Sequence, residues 1–298
     1  MDGSKGKEFR RLVKQHAPLP IMGAVNAYSA MLLERAGGQA LYLSGAGVAN
    51  ASYGLPDLGM TSLTDVLEDV RRITEACSLP MLVDVDTGWG HAFQIARTVT
   101  LMERSGVAAI HIEDQVSAKR CGHRPNKAIV SMQEMGDRLK AAVDARQDPD
   151  FVIMARTDAY AREGLSAALD RAAYYIDQGA DMLFPEALTH LEDYRAFTAL
   201  NVPVLANITE FGQTPLLTRE ALQQVGVSLA LYPLSAFRAM SHAALHVYQT
   251  ILQQGTQLSL LDQMQSREDL YDVLGYRAYE QRLDTILGNC DQGENDGR

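Results

Sequence analysis

Pro80-Met81-Leu82-Val83-Asp84-Val85-Asp86-Thr87-Gly88-Trp89-Gly90 opens as an apolar run without polar alternation, ends in two carboxylates and turns on two glycines. A strand that reads as continuously apolar is a parallel strand covered on both faces. Seven more runs share this form, at 21–27, 40–45, 108–114, 151–158, 181–187, 203–210 and 228–234. Between them, residues 63–76, 91–105, 131–145, 166–178 and 218–224 carry helical spacing. Such strand–helix alternation predicts an α/β fold, a (β/α)8 barrel of the TIM type, with a doubly wound open sheet as the competing arrangement.

Polar residues gather where these runs end: Asn26, Ser44, Asp84 and Asp86, Glu113 and Asp114, Arg156 and Asp158, Glu186, Asn207 and Thr209. In a barrel those ends meet at one mouth, where active sites form. Asp84 and Asp86 stand at i and i+2, so both are expected to face the mouth. Such oxygens suit Mg²⁺ or Mn²⁺, which keep several waters and take few protein ligands. The alternative is an Asx turn closing the strand. Glu113 and Asp114 add negative charge at the next strand end, which a divalent cation would resolve. Arg156 either pairs with Asp158 or Glu186 or faces a ligand. Arg238, after Tyr232-Pro233-Leu234-Ser235, has the geometry to pin a carboxylate. His111 reads as a hydrogen-bonded core histidine and Arg267 as a solvated charge.

Lys119-Arg120-Cys121-Gly122-His123-Arg124-Pro125-Asn126-Lys127 follows the strand that ends at Glu113 and Asp114. Its cations favour the thiolate of Cys121 and allow that group to trade a proton near neutral pH. A cation-rich loop also holds carboxylates. Cys77, near a helix end, reads as a small buried hydrophobe.

The chain has 298 residues, with 27 basic and 37 acidic side chains and a net charge of −10, which argues against nonspecific nucleic-acid binding. Local clusters still admit anionic substrates. Three cysteines at wide spacing suggest a reducing compartment. Residues 1–15 carry no apolar signal core, and no run reaches membrane-spanning length, so a soluble cytoplasmic protein is expected. There is no P-loop, dinucleotide fingerprint, GxSxG elbow or Cys/His cluster with zinc spacing. Leu43-Ser44-Gly45-Ala46-Gly47 suits the offering of backbone N–H groups to an anion. Beyond the last strand, 236–253 reads as a helix, Gly255 breaks it, and 264–287 forms a helical tail longer than a barrel needs. A single domain over 1–298 is expected, with 236–290 suited to packing on a partner subunit.

At these residues the chain resembles the isocitrate lyase/phosphoenolpyruvate mutase superfamily. The resemblance runs through Tyr42-Leu43-Ser44-Gly45, Gly54-Leu55-Pro56-Asp57, Asp84-Val85-Asp86-Thr87-Gly88, Ile112-Glu113-Asp114-Gln115, the cysteine loop, Met154-Ala155-Arg156-Thr157-Asp158, Phe184-Pro185-Glu186-Ala187, residues 206–212 and residues 232–238. The loop ending Arg124-Pro125-Asn126-Lys127 resembles the branch that cleaves 2-methylisocitrate to pyruvate and succinate. The resemblance implies Mg²⁺ dependence, a barrel whose C-terminal helix swaps between subunits, and a homotetramer. It implies that Asp84 and Asp86 hold the metal, with Asp57 and Glu113 acting through its waters. Ser44, Gly45, Ala46 and Arg156 would hold the pyruvate half. Cys121, Gly122, Glu186, Asn207, Ile208, Thr209, Arg238 and Arg267 would line the substrate pocket, Arg267 by resemblance alone. Cys121, with Lys119 and His123 beside it, would protonate the succinate carbon, and Tyr42 as phenolate would take the hydroxyl proton. The rival readings are another reaction of the same superfamily and a silent barrel that binds a dicarboxylate.

Overall fold

The computed structural model describes residues 3–119, 122 and 128–291. Eight strands lie among them: β1 (Leu19–Gly23), β2 (Leu41–Leu43), β3 (Met81–Asp84), β4 (Ala109–Glu113), β5 (Val152–Thr157), β6 (Met182–Pro185), β7 (Leu205–Asn207) and β8 (Leu229–Tyr232). They pair in the order β6-β5-β4-β3-β2-β1-β8-β7, all parallel. The outer strands β6 and β7 meet through a parallel bridge between Leu183 and Val204, and the Leu183 N–H donates to Pro203 O at 3.0 Å. The sheet thus curls into a nearly closed barrel, and the open-sheet alternative is set aside. Each strand falls within its apolar run except β1, which begins at Leu19 rather than at residue 21.

The runs lack polar alternation because both faces are buried, and the pleat sorts them into two layers. Ile21, Leu82, Met154, Leu205 and Leu231 fill the barrel interior. Leu41, Val83, Ile110, Ile153 and Ala206 pack outward in the layer that includes the helices. Five expected helices form. Leu63–Ala76 starts in a capping box: the Ser62 hydroxyl accepts from Asp65 N, and the Asp65 carboxylate accepts from the Ser62 N–H at 2.7 Å. Ser131 and Thr218 cap Met132–Ala145 and Arg219–Gln224 in the simpler way. Ala92–Arg104 matches its expected span within a residue at each end. The helix expected from residue 166 begins earlier, as Tyr160–Asp177, with a break at Gly164.

The polar opening segment is more than a leader into β1. It forms helix Lys5–Gln15, whose Phe9, Leu12 and Val13 turn inward and join the interior layer. Arg10 ties it to Asp181 at 2.8 Å.

The chain forms two compact units, the first ending at Ala239 and the second starting at Met240. The second holds the end of helix Ser235–Gln254, a 3₁₀ turn at Leu258–Gln263, and helices Arg267–Leu274 and Tyr276–Asp291. Gly275, at φ 65°, divides the single tail helix that the sequence suggests. Tyr271 stacks on Tyr276 across that division, with ring centroids 4.3 Å apart. Among the described residues no helix is long and apolar enough to cross a membrane.

Phe9 is wholly buried. Phe9→Ala is expected to destabilise the protein by about 3–5 kcal/mol, read from urea unfolding at constant pH. A loss below about 1 kcal/mol would show that the opening helix does not close the barrel core.

Candidate active site

The carboxyl ends of the strands enclose a cavity of about 260 Å³. Tyr42, Ser44, Ala46, Asp57, Asp84, Lys119, Gly122, Arg156, Glu186, Asn207, Thr209 and Arg238 all line it. These residues come from every part of the first unit between β2 and the start of helix Ser235–Gln254. The barrel turns a scattered set into one wall because alternate residues of each strand point inward.

Asp84 ends β3 on the interior face, and its Oδ2 accepts the Gly45 N–H at 3.1 Å. One N–H of the glycine-rich strand end is therefore committed to a carboxylate rather than open to an anion. Asp86 lies past the strand with a left-handed φ of 49°, and its own N–H donates to Asp84 Oδ1 at 3.0 Å. A Cβ on Gly45 would fall 3.1 Å from Asp84 Oδ2 and 3.3 Å from Asp86 Oδ1. The two carboxylates thus converge on a point that only a glycine leaves open. Lys119 Nζ pairs with Asp57 and stands 2.6 Å from Asp86 Oδ1, which accepts no hydrogen bond. Asp86 faces a second cavity of about 380 Å³, shared with Thr87, Trp89, Ser117 and Lys119.

Glu113 is buried on β4, with Oε2 3.3 Å from Arg156 Nε and Oε1 without a hydrogen-bond partner. Asp114, one residue on, points the other way: it accepts Thr157 Oγ1–H at 2.7 Å and Tyr175 O–H at 2.9 Å in the outer layer. The pair Glu113–Asp114 is therefore not one acidic cluster at the mouth, as expected, because adjacent strand residues face opposite sides. Arg156 grips Asp158 at 3.0 and 3.3 Å, approaches Glu186 at 3.7 Å and lies over the Phe184 ring at 5.2 Å. It is both the ion-pair partner and a cavity wall. Gly122 packs on it: a Cβ there would meet Arg156 Nη2 at 2.4 Å and Glu186 Cδ at 2.7 Å. Arg238 pairs with Glu210 at 3.5 Å beneath Phe211.

One expected residue turns away from this cavity. Ile208 turns its side chain into the outer core, and its N–H donates to Leu231 O at 2.8 Å, so neither faces the pocket. Arg267 opens a helix of the second unit. Cys121 and His123 lie outside the described residues. Conversely, the structure adds His111. It is fully buried, stacks edge-on to Phe184, and places Nε2 2.9 Å from Tyr42 Oη and 3.7 Å from Asp84 Oδ1. Its position two residues before Glu113 on one strand face was the available signal.

The electrostatics follow from burial. Burial and then Asp84 push the Tyr42 phenol well above its ordinary value, which favours the phenol over the expected phenolate. Burial and Asp84 raise Asp86 to about 7 against the pull of Lys119. Burial acts against Asp84 too, yet His111, Lys119 and Arg156 hold its carboxyl near 2. Burial also raises Glu113 well above the carboxylate range. Burial alone would lower Lys119, but Asp86, Glu113, Asp84 and Asp57 keep it firmly protonated.

Among the described residues no group of three or more His, Cys, Asp or Glu is arranged to grip a metal ion. Two converging carboxylates and an unpartnered Glu113 oxygen fit an ion that keeps most of its waters, as Mg²⁺ does.

The family model "Phosphoenolpyruvate phosphomutase" matches residues 9–252. The chain is 61% identical over 294 residues, 96% of each chain, to a 2-methylisocitrate lyase of Vibrio cholerae. It is 60% identical over 286 residues to that of Escherichia coli, covering 95% of this chain and 97% of the relative. Among solved structures it superposes on a 2,3-dimethylmalate lyase with a TM-score of 0.88 at 31% identity over the whole of both chains.

Burial lowers His111 from 6.5 to about 4. An unfolded chain protonates this group below about 6.5 while the folded protein resists to about 4, so folding loses stability as pH falls through that window. His111→Gln should remove at most about 3 kcal/mol of that acid loss relative to the unsubstituted protein. Urea unfolding between pH 7 and 4.5 measures the difference, and parallel profiles would sink the neutral buried imidazole.

Proposed function

As the chain belongs to the phosphoenolpyruvate phosphomutase family, we propose that it is a carbon–carbon lyase cleaving 2-methylisocitrate to pyruvate and succinate, a step of the 2-methylcitrate cycle of propionate breakdown. The observation that carries this reading is the convergence of Asp84, Lys119, Arg156 and Glu186 on one cavity in a chain 61% identical to a 2-methylisocitrate lyase. Enzymes of this superfamily generally depend on a divalent metal.

Asp84 and Asp86 would hold Mg²⁺ or Mn²⁺ directly, and Asp57 and Glu113 through its waters. Bound there, the ion would acidify the substrate's hydroxyl and take up charge as the bond breaks. Ser44, the Ala46 N–H and Arg156 hold the pyruvate-side carboxylate, while Gly45 serves by fixing Asp84. Glu186, Asn207, Thr209 and Arg238 hold the succinate half, and Ile208 can contribute only its carbonyl.

As a phenol, Tyr42 acts as base only in concert with a partner. Tyr42 accepts the substrate's hydroxyl proton as its own proton passes to His111 Nε2. The alkoxide collapses to the keto group of pyruvate, the carbon–carbon bond breaks, and the electron pair flows into the succinate half as an aci-carboxylate. The Cys121 thiol delivers a proton to that carbon, with Lys119 and His123 as its neighbours in sequence. Arg267 and the C-terminal helices would come from a neighbouring subunit in a homotetramer. The exposed Leu245, Tyr248, Leu252 and Leu283 of the second unit support such packing. The compartment that suits this reading is the cytoplasm.

With Mg²⁺, the purified protein should release pyruvate from 2-methylisocitrate, stop in EDTA, and recover on Mg²⁺ or Mn²⁺ addition. The kcat/KM for isocitrate should be lower by about tenfold or more, the scale of one methyl in a pocket. Equal use of both substrates would refute the assigned specificity. Cys121→Ser should lose about 10²–10⁴-fold in kcat while still binding pyruvate and Mg²⁺. Ordinary turnover in that variant would remove the thiol from the reaction.

A further inference from the structure

We infer that the Lys119 ammonium holds the place of the divalent cation, neutralising the metal carboxylates in the metal-free protein and leaving them when the ion arrives. The inference rests on the reading that Asp84 and Asp86 bind the metal, and it names what competes with that ion.

Lys119 is an unusual counter-ion for a surface loop. It is only 6% exposed, and its Nζ contacts both Asp57 and Asp86. The oxygen it approaches at 2.6 Å, Asp86 Oδ1, is the same one that faces the open side of Gly45 together with Asp84 Oδ2. One carboxylate oxygen cannot serve a divalent ion and an ammonium at full strength, since the two cations would repel at contact distance. Lys119 also has somewhere to go. It borders both the 260 Å³ cavity and the 380 Å³ cavity. The ammonium therefore does what burial of several carboxylates requires when no metal is bound. The consequence is a metal site that stays charge-compensated when empty and binds its ion more weakly than the bare carboxylate pair would.

Mn²⁺ alone, without substrate, is the probe, with free ion read by electron paramagnetic resonance and binding heat by calorimetry. Lys119→Met and Lys119→Gln should bind Mn²⁺ at least tenfold more tightly than the unsubstituted protein. Lys119→Arg, which keeps the charge, should stay close to it. In melting experiments the metal-free Lys119→Met protein should unfold at lower temperature, and Mn²⁺ should raise its midpoint by more. Equal or weaker Mn²⁺ binding by the uncharged variants, with the unsubstituted protein still binding, overturns the inference alone. Mn²⁺ binding that survives Asp84→Asn and Asp86→Asn together, or no binding by any form, overturns the metal-site reading and the inference with it.

Discussion

Among the described residues, six carboxylates, those of Asp57, Asp84, Asp86, Glu113, Asp158 and Glu186, face two cations, Lys119 and Arg156, around the strand ends. This imbalance is the constraint on which the site depends. Burying a charge is costly unless it is paired. Each cation here is shared: Lys119 by Asp57 and Asp86, Arg156 by Asp158, Glu113 and Glu186. Burial and this sharing together set the direction in which each carboxyl shifts. Burial pushes Asp86 and Glu113 up, while the charges of His111, Lys119 and Arg156 hold Asp84 down.

The arrangement survives because the outer layer braces it. Asp114 accepts Thr157 Oγ1–H, Tyr175 O–H and the Asp158 N–H, the last at 2.9 Å. Asp158 in turn holds the Arg156 guanidinium at two points. Helix Tyr160–Asp177, which carries Tyr175 and Arg171, thereby sets the plane of an arginine on the inner face. Such a network works only when its members are satisfied together, so this part of the helix layer and the cavity wall form one unit rather than scaffold and ornament.

The barrel was legible because two-sided burial strips polar alternation from a strand, and because Ser62, Ser131 and Thr218 mark helix starts chemically. The opening helix was not, since Phe9, Leu12 and Val13 are few apolar positions among many charges. Most of the cavity wall could be read from strand ends and the family pattern. His111 was hidden by its setting: a polar residue inside an apolar strand looks the same whether it plugs the core or touches Tyr42. Ile208 erred in the opposite sense, because a motif names residues in sequence while the pleat sends alternate side chains to opposite faces. The burial that pushes the Tyr42 phenol up could not be read from the sequence.

The metal dependence of the superfamily acquires an electrostatic reason here, apart from its part in bond breaking. A tricarboxylate approaching this mouth meets acids that, among the described residues, outnumber cations, in a chain whose net charge is −10. Arg238 is shared with Glu210. A divalent ion held by Asp84 and Asp86 would offset their charge and offer the ligand's oxygens a cation to approach. On the proposed reading, a divalent cation at the acidic strand ends would serve substrate recognition as well as the bond-breaking step.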